Sequence, residues 1–279
     1  MKKNHNGYKI VAFPRMRRLM ITIGRVTSHR HIIHGLVEID VTRARQLMRE
    51  HKARTGESLS FTAFLAACVG HAVAMNKEVH AYRNWRNQLV LFDDVDINIQ
   101  IERDMQGQKF PVPHIVRGAN NKTIRDIQEE IRTVQAQPMS GREVKALPWL
   151  TLVPSSVRQI FLSFMFKNPR LIKEFLGTVG LTAIGMFGDR GGWGIGLPSL
   201  HTLGIVVGGI AERPALVDGK IEAHEYLSVT LNFDHDIIDG APAARFTQQL
   251  SDLIESGYGL SDPTVESEQA RDSGTSKKN

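Results

Sequence analysis

Cysteine is nearly absent. Cys68 stands alone among 279 residues, so no internal disulfide staples the fold, and a reducing compartment suits it. No run is long and apolar enough to span a bilayer. Met1-Lys-Lys leads into Asn-His-Asn-Gly, where a secretory leader would turn apolar. A cytoplasmic location is the expectation. Zinc-finger spacing, an RNA-binding aromatic signature and a basic recognition helix are also missing. Their absence bears on the formal net charge of +6, which gathers early at Lys2, Lys3, Arg15, Arg17, Arg18 and Arg25. Such charge could serve nucleic acid, an acidic membrane surface or an anionic cofactor. Without any of the usual reading motifs, no nucleic-acid partner is expected. No internal repeat and no linker divides the chain.

What is present is a chain with 42% hydrophobic residues, long enough for one large domain or two small ones. Residues 1–13 read as a loose lead-in, and Arg15-Met-Arg-Arg-Leu-Met-Ile as a short basic helix. The three histidines of Ser28-His-Arg-His-Ile-Ile-His34 invite a metal, but the spacing is that of an extended segment. No carboxylate or cysteine completes a tetrahedral set there, so no metal is expected. Residues 32–40 read instead as a strand, followed by an amphipathic helix from near Thr42. Ser60 caps a helix over 61–75 whose Phe64, Leu65, Cys68, Ala72 and Met75 recur at three and four, which places Cys68 in the core. Residues 89–92 and 95–101 alternate and predict adjacent strands joined at Asp93-Asp94. Thr123-x-x-Asp126 forms a capping box ahead of Ile124, Ile127, Ile131 and Val134. Late strands are expected at 203–210, 215–221 and 226–233. The polar tail 257–279 is expected to be disordered.

Residues 146–176 are unusually apolar. Two helices are predicted there, one capped by Ser155 and a second started by Asn168-Pro169 and stopped by Gly177. The first carries Val157, Ile160, Phe161, Phe164 and Met165, and also Leu162 and Phe166, more apolar residues than one buried face needs. The glycines of Asp189-Arg-Gly-Gly-Trp-Gly-Ile-Gly-Leu-Pro198 lack a P-loop lysine and read as a flexible loop.

Thr230-Leu-Asn-Phe-Asp-His-Asp-Ile-Ile-Asp-Gly-Ala-Pro-Ala-Ala-Arg-Phe246 carries the chemistry. It opens as an alternating strand, breaks at 235–240 and resumes at helical spacing, which sets His235 at a strand-to-helix corner. The pattern His-x-x-x-Asp-Gly followed by Ala-x-Ala-Ala-Arg-Phe resembles the signature of the dihydrolipoyl acyltransferases of 2-oxo acid dehydrogenase complexes and of the related chloramphenicol acetyltransferases. Gly177-Thr-Val-Gly-Leu-Thr-Ala-Ile-Gly-Met-Phe-Gly188 is similar to a second stretch of that family, with Thr182 at the position of its catalytic serine. Phe110-Pro-Val-Pro-His-Ile-Val116 resembles one of its strands. The resemblance covers 14–256 apart from the 146–176 insertion, and implies an α/β (α+β) two-layer sandwich, a mixed sheet covered by helices.

That resemblance implies an acyltransferase using coenzyme A or an acyl-coenzyme A as substrate. His235 would be the general base and Thr182 the oxyanion donor, with Asp239 a structural support that Arg17 would pair with. It also implies a homotrimer in which the histidine of one subunit meets the hydroxyl of its neighbour. A neutral imidazole can take the proton of an attacking thiol, and an oriented hydroxyl donor stabilises the developing oxyanion. Two departures favour a non-catalytic trimeric scaffold as the alternative: Thr182 replaces serine, and Asp236 stands where the family usually has arginine. No lipoylation hairpin occurs, so any lipoyl or acyl carrier would be a separate protein. The 146–176 block, just ahead of Thr182, is placed to wall the acyl pocket and favour long or bulky acyl groups over acetyl. Its interspersed Arg158, Lys167, Arg170 and Lys173 also keep peripheral membrane contact through 148–176 open.

Overall fold

A computed structural model describes residues 10–13, 15–105, 108–136, 153–183, 191–196 and 200–261. In chain order they form α1 (Arg15–Thr27), β1 (Ile32–Asp40), α2 (Thr42–Thr55), α3 (Phe61–Met75), β2 (Tyr82–Arg83), β3 (Leu89–Val90), β4 (Ile97–Met105) and β5 (Gln108–Val116). Then come α4 (Ile124–Ala136), α5 (Ser155–Phe166), α6 (Pro169–Leu176), β6 (Val179–Ala183), β7 (Leu203–Val217), β8 (Lys220–Asp234) and α7 (Gly240–Ser256).

Six strands form one mixed sheet in the order β1-β8-β7-β6-β4-β5. β6 runs parallel to β7 and β4, and the remaining pairs are antiparallel. Successive residues of a strand face opposite sides, and here the two sides differ in kind. Ile97, Ile99, Val179, Leu181, Leu203, Ile205, Leu227, Val229, Leu231 and Phe233 join Phe64 of α3, Ile127 of α4 and Phe246 of α7 in one core. Each such large side chain, fully buried, contributes about 1.5–3 kcal/mol. The alternate positions carry Asn98, Thr182, Val206, Ser228, Thr230 and Asn232, so the second face is largely polar. The α/β two-layer sandwich expected from the sequence is the architecture the chain adopts.

Several helix ends follow their capping chemistry. Ser60 Oγ accepts from the Ala63 amide at 3.3 Å. Thr123 and Asp126 cap reciprocally, Thr123 N donating to Asp126 Oδ2 at 2.9 Å and Asp126 N to Thr123 Oγ1 at 3.2 Å. Asn168 caps α6 through the Arg170 amide at 3.1 Å, with Pro169 in the first turn. Ser155 departs from its expected role: it is the first helical residue of α5, Pro154 holds the cap position, and no side chain caps that end.

Three further expectations are corrected. Residues 89–90 pair with Tyr82–Arg83 instead of β4. The turn at Asn84 decides this, because Asn84 Oδ1 accepts from the Arg86 and Gln88 amides, both at 2.9 Å. The three late strands are two long ones, and the centre of the supposed middle strand is a hairpin turn at Asp218 and Gly219, with φ of 48° and 78°. Positive φ at both central residues is the turn whose twist matches paired strands. Residues 257–261 of the tail are ordered. Gly257 closes α7 in the left-handed region, and Tyr258 stacks on His71 at 4.5 Å. The rest of the tail lies outside the described residues.

Of the 146–176 block, residues 153–176 are described. α5 lies on α1, where Arg158 Nε donates to Thr22 Oγ1 at 2.9 Å with both residues buried. α6 is anchored through Asp96, which is only 2% exposed. Asp96 Oδ2 meets Arg117 at 2.8 Å and Lys173 at 3.5 Å, while Arg117 also donates to the Lys173 and Glu174 carbonyls near the end of α6.

Candidate active site

β8 ends at Asp234 and α7 begins at Gly240. The corner between them is anchored from below by Ile238, 1% exposed, and by Phe233 packed edge-on against Phe246 at 5.9 Å. Its backbone is folded by the Ile237 and Ile238 amides, which donate to the Asp234 carbonyl at 3.0 and 2.9 Å. These anchors leave the His235 side chain 44% exposed. Its Nδ1 faces Asp239 Oδ1 at 3.8 Å, an ion-pair distance longer than a hydrogen bond. Asp239 holds the N-cap position of α7 but makes no capping bond with its side chain. Its carboxylate is therefore left to His235.

The neighbouring carboxylates are engaged by the segment before β1. Asp234 Oδ2 lies 3.4 Å from Arg30. Burial pushes the Asp234 carboxyl above its ordinary value, and Arg30 opposes that shift. Asp236 Oδ1 pairs with His31 Nδ1 at 2.9 Å. His34 Nδ1 meets Asn232 Oδ1 at 2.6 Å. Two of the three histidines that invited a metal reading, His31 and His34, thus have separate protein partners.

Thr182 is half-buried on β6, in register with Val206 and, one strand further, with Thr230. It lines a cavity of about 230 Å³ together with Asn98, Gln100, His201 and Asn232. Burial pushes His201 down to about 4, so its imidazole is neutral near pH 7. His201 Nε2 and Asn98 Nδ2 both donate to the Leu176 carbonyl, at 2.9 and 3.0 Å. Asn98 Oδ1 is buried with no hydrogen-bond partner, an acceptor facing the same polar side of the sheet. Asn98, Asn232 and His201 were not singled out from the sequence, although period-two alternation puts the two asparagines on the face of Thr182.

A single chain does not bring Thr182 and His235 together. Thr182 is level with Thr230, two strands away and five residues before His235, which at standard strand rise and spacing is roughly 15–20 Å. Arg17 is exposed on α1, and among the described residues no ion pair joins it to Asp239. No described residue of the 146–176 block lines the cavity beside Thr182. Residues 191–196 instead lie against the polar face. Gly192 N donates to Ser228 Oγ at 3.3 Å, Gly209 N donates to Gly192 O at 3.1 Å, and Trp193 Nε1 donates to Val37 O at 3.3 Å. Gly208 makes this approach feasible, because a Cβ there would sit 2.1 Å from Gly192 O.

A mixed six-stranded sheet layered with helices, carrying a histidine at the end of its last strand, has the architecture of acyltransferase catalytic cores. The family model for the 2-oxoacid dehydrogenases acyltransferase (catalytic domain) matches residues 6–143 and 174–260, and the chain belongs to that family. The match passes over most of the apolar block.

Solved structures agree on the fold. A probable dihydrolipoamide acetyltransferase from Listeria monocytogenes superposes with a TM-score of 0.66 at 19% identity, over 90% of this chain and 96% of that one. A dihydrolipoamide acetyltransferase from Azotobacter vinelandii gives 0.66 at 17% identity, over 92% and 96%. In that protein a serine, a histidine and an asparagine four residues further on were investigated for their role in catalysis. Among curated relatives, the acetyltransferase component of the Mycoplasma pneumoniae pyruvate dehydrogenase complex is 25% identical over 90% of this chain and 56% of its own length. The mitochondrial succinyltransferase component of the Saccharomyces cerevisiae 2-oxoglutarate dehydrogenase complex is 25% identical over 78% of this chain and 41% of its own. The chain therefore spans about half the length of these relatives.

Proposed function

We propose that this chain moves an acyl group between a thioester, of the acyl-coenzyme A or acyl-lipoyl type, and a thiol, hydroxyl or amine acceptor. The observation that carries the reading is the His235 corner in a chain of this family: Nδ1 faces Asp239, and Nε2 makes no hydrogen bond among the described residues. Nε2 takes the proton of the acceptor as its heteroatom attacks the thioester carbonyl. The carbonyl oxygen becomes an oxyanion, to which a hydroxyl such as that of Thr182 donates. Collapse of the tetrahedral intermediate breaks the carbon–sulfur bond, and the departing thiolate takes the proton back from the imidazolium. A hydrogen bond of this kind to the oxyanion is worth a hundredfold or more in rate.

The roughly 15–20 Å between Thr182 and His235 in one chain favours a site completed by the hydroxyl of a second subunit, as in a homotrimer. The acyl or lipoyl group comes on coenzyme A or on a separate carrier protein. Asp236 motivated the scaffold alternative, but its carboxylate is occupied by His31, which weakens the objection that it disturbs the base. Transfer from acyl-coenzyme A by the purified protein tests the reading. His235→Ala should lower the rate by about two to four powers of ten with an unchanged circular dichroism spectrum. Equal rates for variant and parent would refute it, and thermal stabilisation of the parent by millimolar acyl-coenzyme A would separate an enzyme from a scaffold.

A further inference from the structure

α5 is turned inside out relative to an ordinary surface helix. Its inward side presents Arg158 and Leu162, 5% and 4% exposed, with Arg158 hydrogen-bonded to Thr22. Val157, Ile160, Phe161 and Phe164 fall at i, i+3, i+4 and i+7, one continuous stripe, and are 53%, 71%, 49% and 69% exposed. Packing within the chain would favour the reverse arrangement, since an outward aromatic forgoes its transfer free energy and an inward guanidinium must be desolvated. A stripe of four large apolar residues in this pattern marks a surface that something else covers.

Charge indicates what that is. Glu174 is the only acidic residue in α1, α5 and α6. Exposed Arg17, Arg18 and Arg25 stand on α1, on which α5 packs, Lys167 shares a shallow groove with Ile160 and Phe164, and Arg170 is exposed on α6. An aromatic and aliphatic stripe on one of three helices that together carry many cations and a single acidic residue is what a helix lying in a lipid interface presents. A second copy of the chain is the weaker occupant: the family match passes over residues 144–173, so the block is no part of what the family shares. No helix among the described residues is long and apolar enough to cross a membrane.

We propose that α5 docks the protein on an anionic lipid bilayer, with Val157, Ile160, Phe161 and Phe164 entering the headgroup boundary and the neighbouring arginines and lysines meeting lipid phosphates. The proposal stands on α5 alone and does not depend on the catalytic reading.

Flotation of the full chain with two kinds of vesicle tests it, one of phosphatidylcholine and one of phosphatidylcholine with phosphatidylserine. The protein should float with the anionic vesicles, float far less with the neutral ones, and be released as salt rises. Phe161→Ser with Phe164→Ser should lower partitioning at least about tenfold. Both side chains are exposed, so the variant should fold, as circular dichroism would verify. Failure to float with either vesicle overturns the proposal, as does undiminished flotation of the double variant. If light scattering shows that the variant has lost oligomeric mass, the stripe is a subunit interface and the lipid assignment is wrong.

Discussion

The His235 amide donates to the His31 carbonyl oxygen at 2.7 Å, and the side chain of the same His31 pairs with Asp236, the residue after His235. Two consecutive residues of the corner are thus tied to one residue ahead of β1, by backbone at one and by side chain at the other.

Removing the side-chain half of that tie should affect rate more than stability. His31 is 78% exposed and Asp236 36%, and exposed pairs of this kind contribute about 0–1 kcal/mol. His31→Ala should therefore leave the urea midpoint nearly unchanged. The Asp236 carboxylate would then be free beside the base, and a small reorientation of the corner should lower kcat about tenfold. Steady-state transfer kinetics read alongside urea unfolding check both halves.

The stability profile should carry the mark of two buried histidines. Burial pushes both His80 and His201 down to about 4, whereas in the unfolded chain each titrates near 6.5. The unfolded chain binds these protons first as pH falls, so the stabilisation is fully present above about 6.5 and is lost towards pH 4. The loss is on the order of 3 kcal/mol per histidine. Urea midpoints measured from pH 7.5 to 4 should fall along this window, and His201→Gln should make the fall shallower. A flat profile would show that neither group resists protonation in the fold.

Much of this architecture is legible from residue pattern because it rests on short-range rules. The Thr123 and Asp126 box, Asn168-Pro169 before α6, Gly177 after it and the His235 corner each follow from chemistry within a few residues. Pairing is a different matter. Alternation in residues 89–92 marks a strand face but does not name a neighbour, and the Asn84 turn gave those residues to β2. The expected gap between residues 210 and 215 holds Pro214, which lies where β7 has passed the end of β6 and keeps only β8 as a partner among the described residues. A missing amide proton is tolerated on an edge. Periodicity also exposed the apolar stripe of α5 without telling which way it faced, and the inward side belongs to Arg158. The separation of Thr182 from His235 is a property of strand order, which no local pattern contains.

Asp96 offers a test of how the apolar block is held. Its buried carboxylate meets Arg117 and Lys173 and also accepts from the Gly118 amide at 2.9 Å. Arg117 is 47% exposed, so solvent screens part of the attraction and the cost of Asp96→Ala should be about 2 kcal/mol, below that of a wholly buried pair. The loss should be local as well as global. α6 would be cut from the turn after β5, and amide exchange in Pro169–Leu176 should accelerate more than in α3.

The hydroxyl assigned to oxyanion stabilisation can be separated from the bulk of the residue that bears it. Thr182 sits on β6 with its polar neighbours Asn98 and His201 around one cavity, and among these His201 is held neutral by burial. A neutral hydrogen-bond donor is therefore the kind of stabiliser this cavity can offer. Thr182→Ser keeps the hydroxyl, drops a methyl and frees χ1, so kcat/KM should stay within about threefold of the parent, whereas Thr182→Ala removes the donor and should cost a hundredfold or more. Thr182→Val completes the comparison by retaining the branched shape without the hydroxyl: it should fall as far as alanine if the hydrogen bond matters, and stay near the parent if Thr182 only fills space. Because the reading places this hydroxyl opposite the His235 of another subunit, mixing inactive Thr182→Ala with inactive His235→Ala under conditions that exchange subunits should restore part of the activity. Restoration follows when a wild-type hydroxyl meets a wild-type imidazole across an interface, and no recovery in demonstrably mixed oligomers would place both groups in one chain after all.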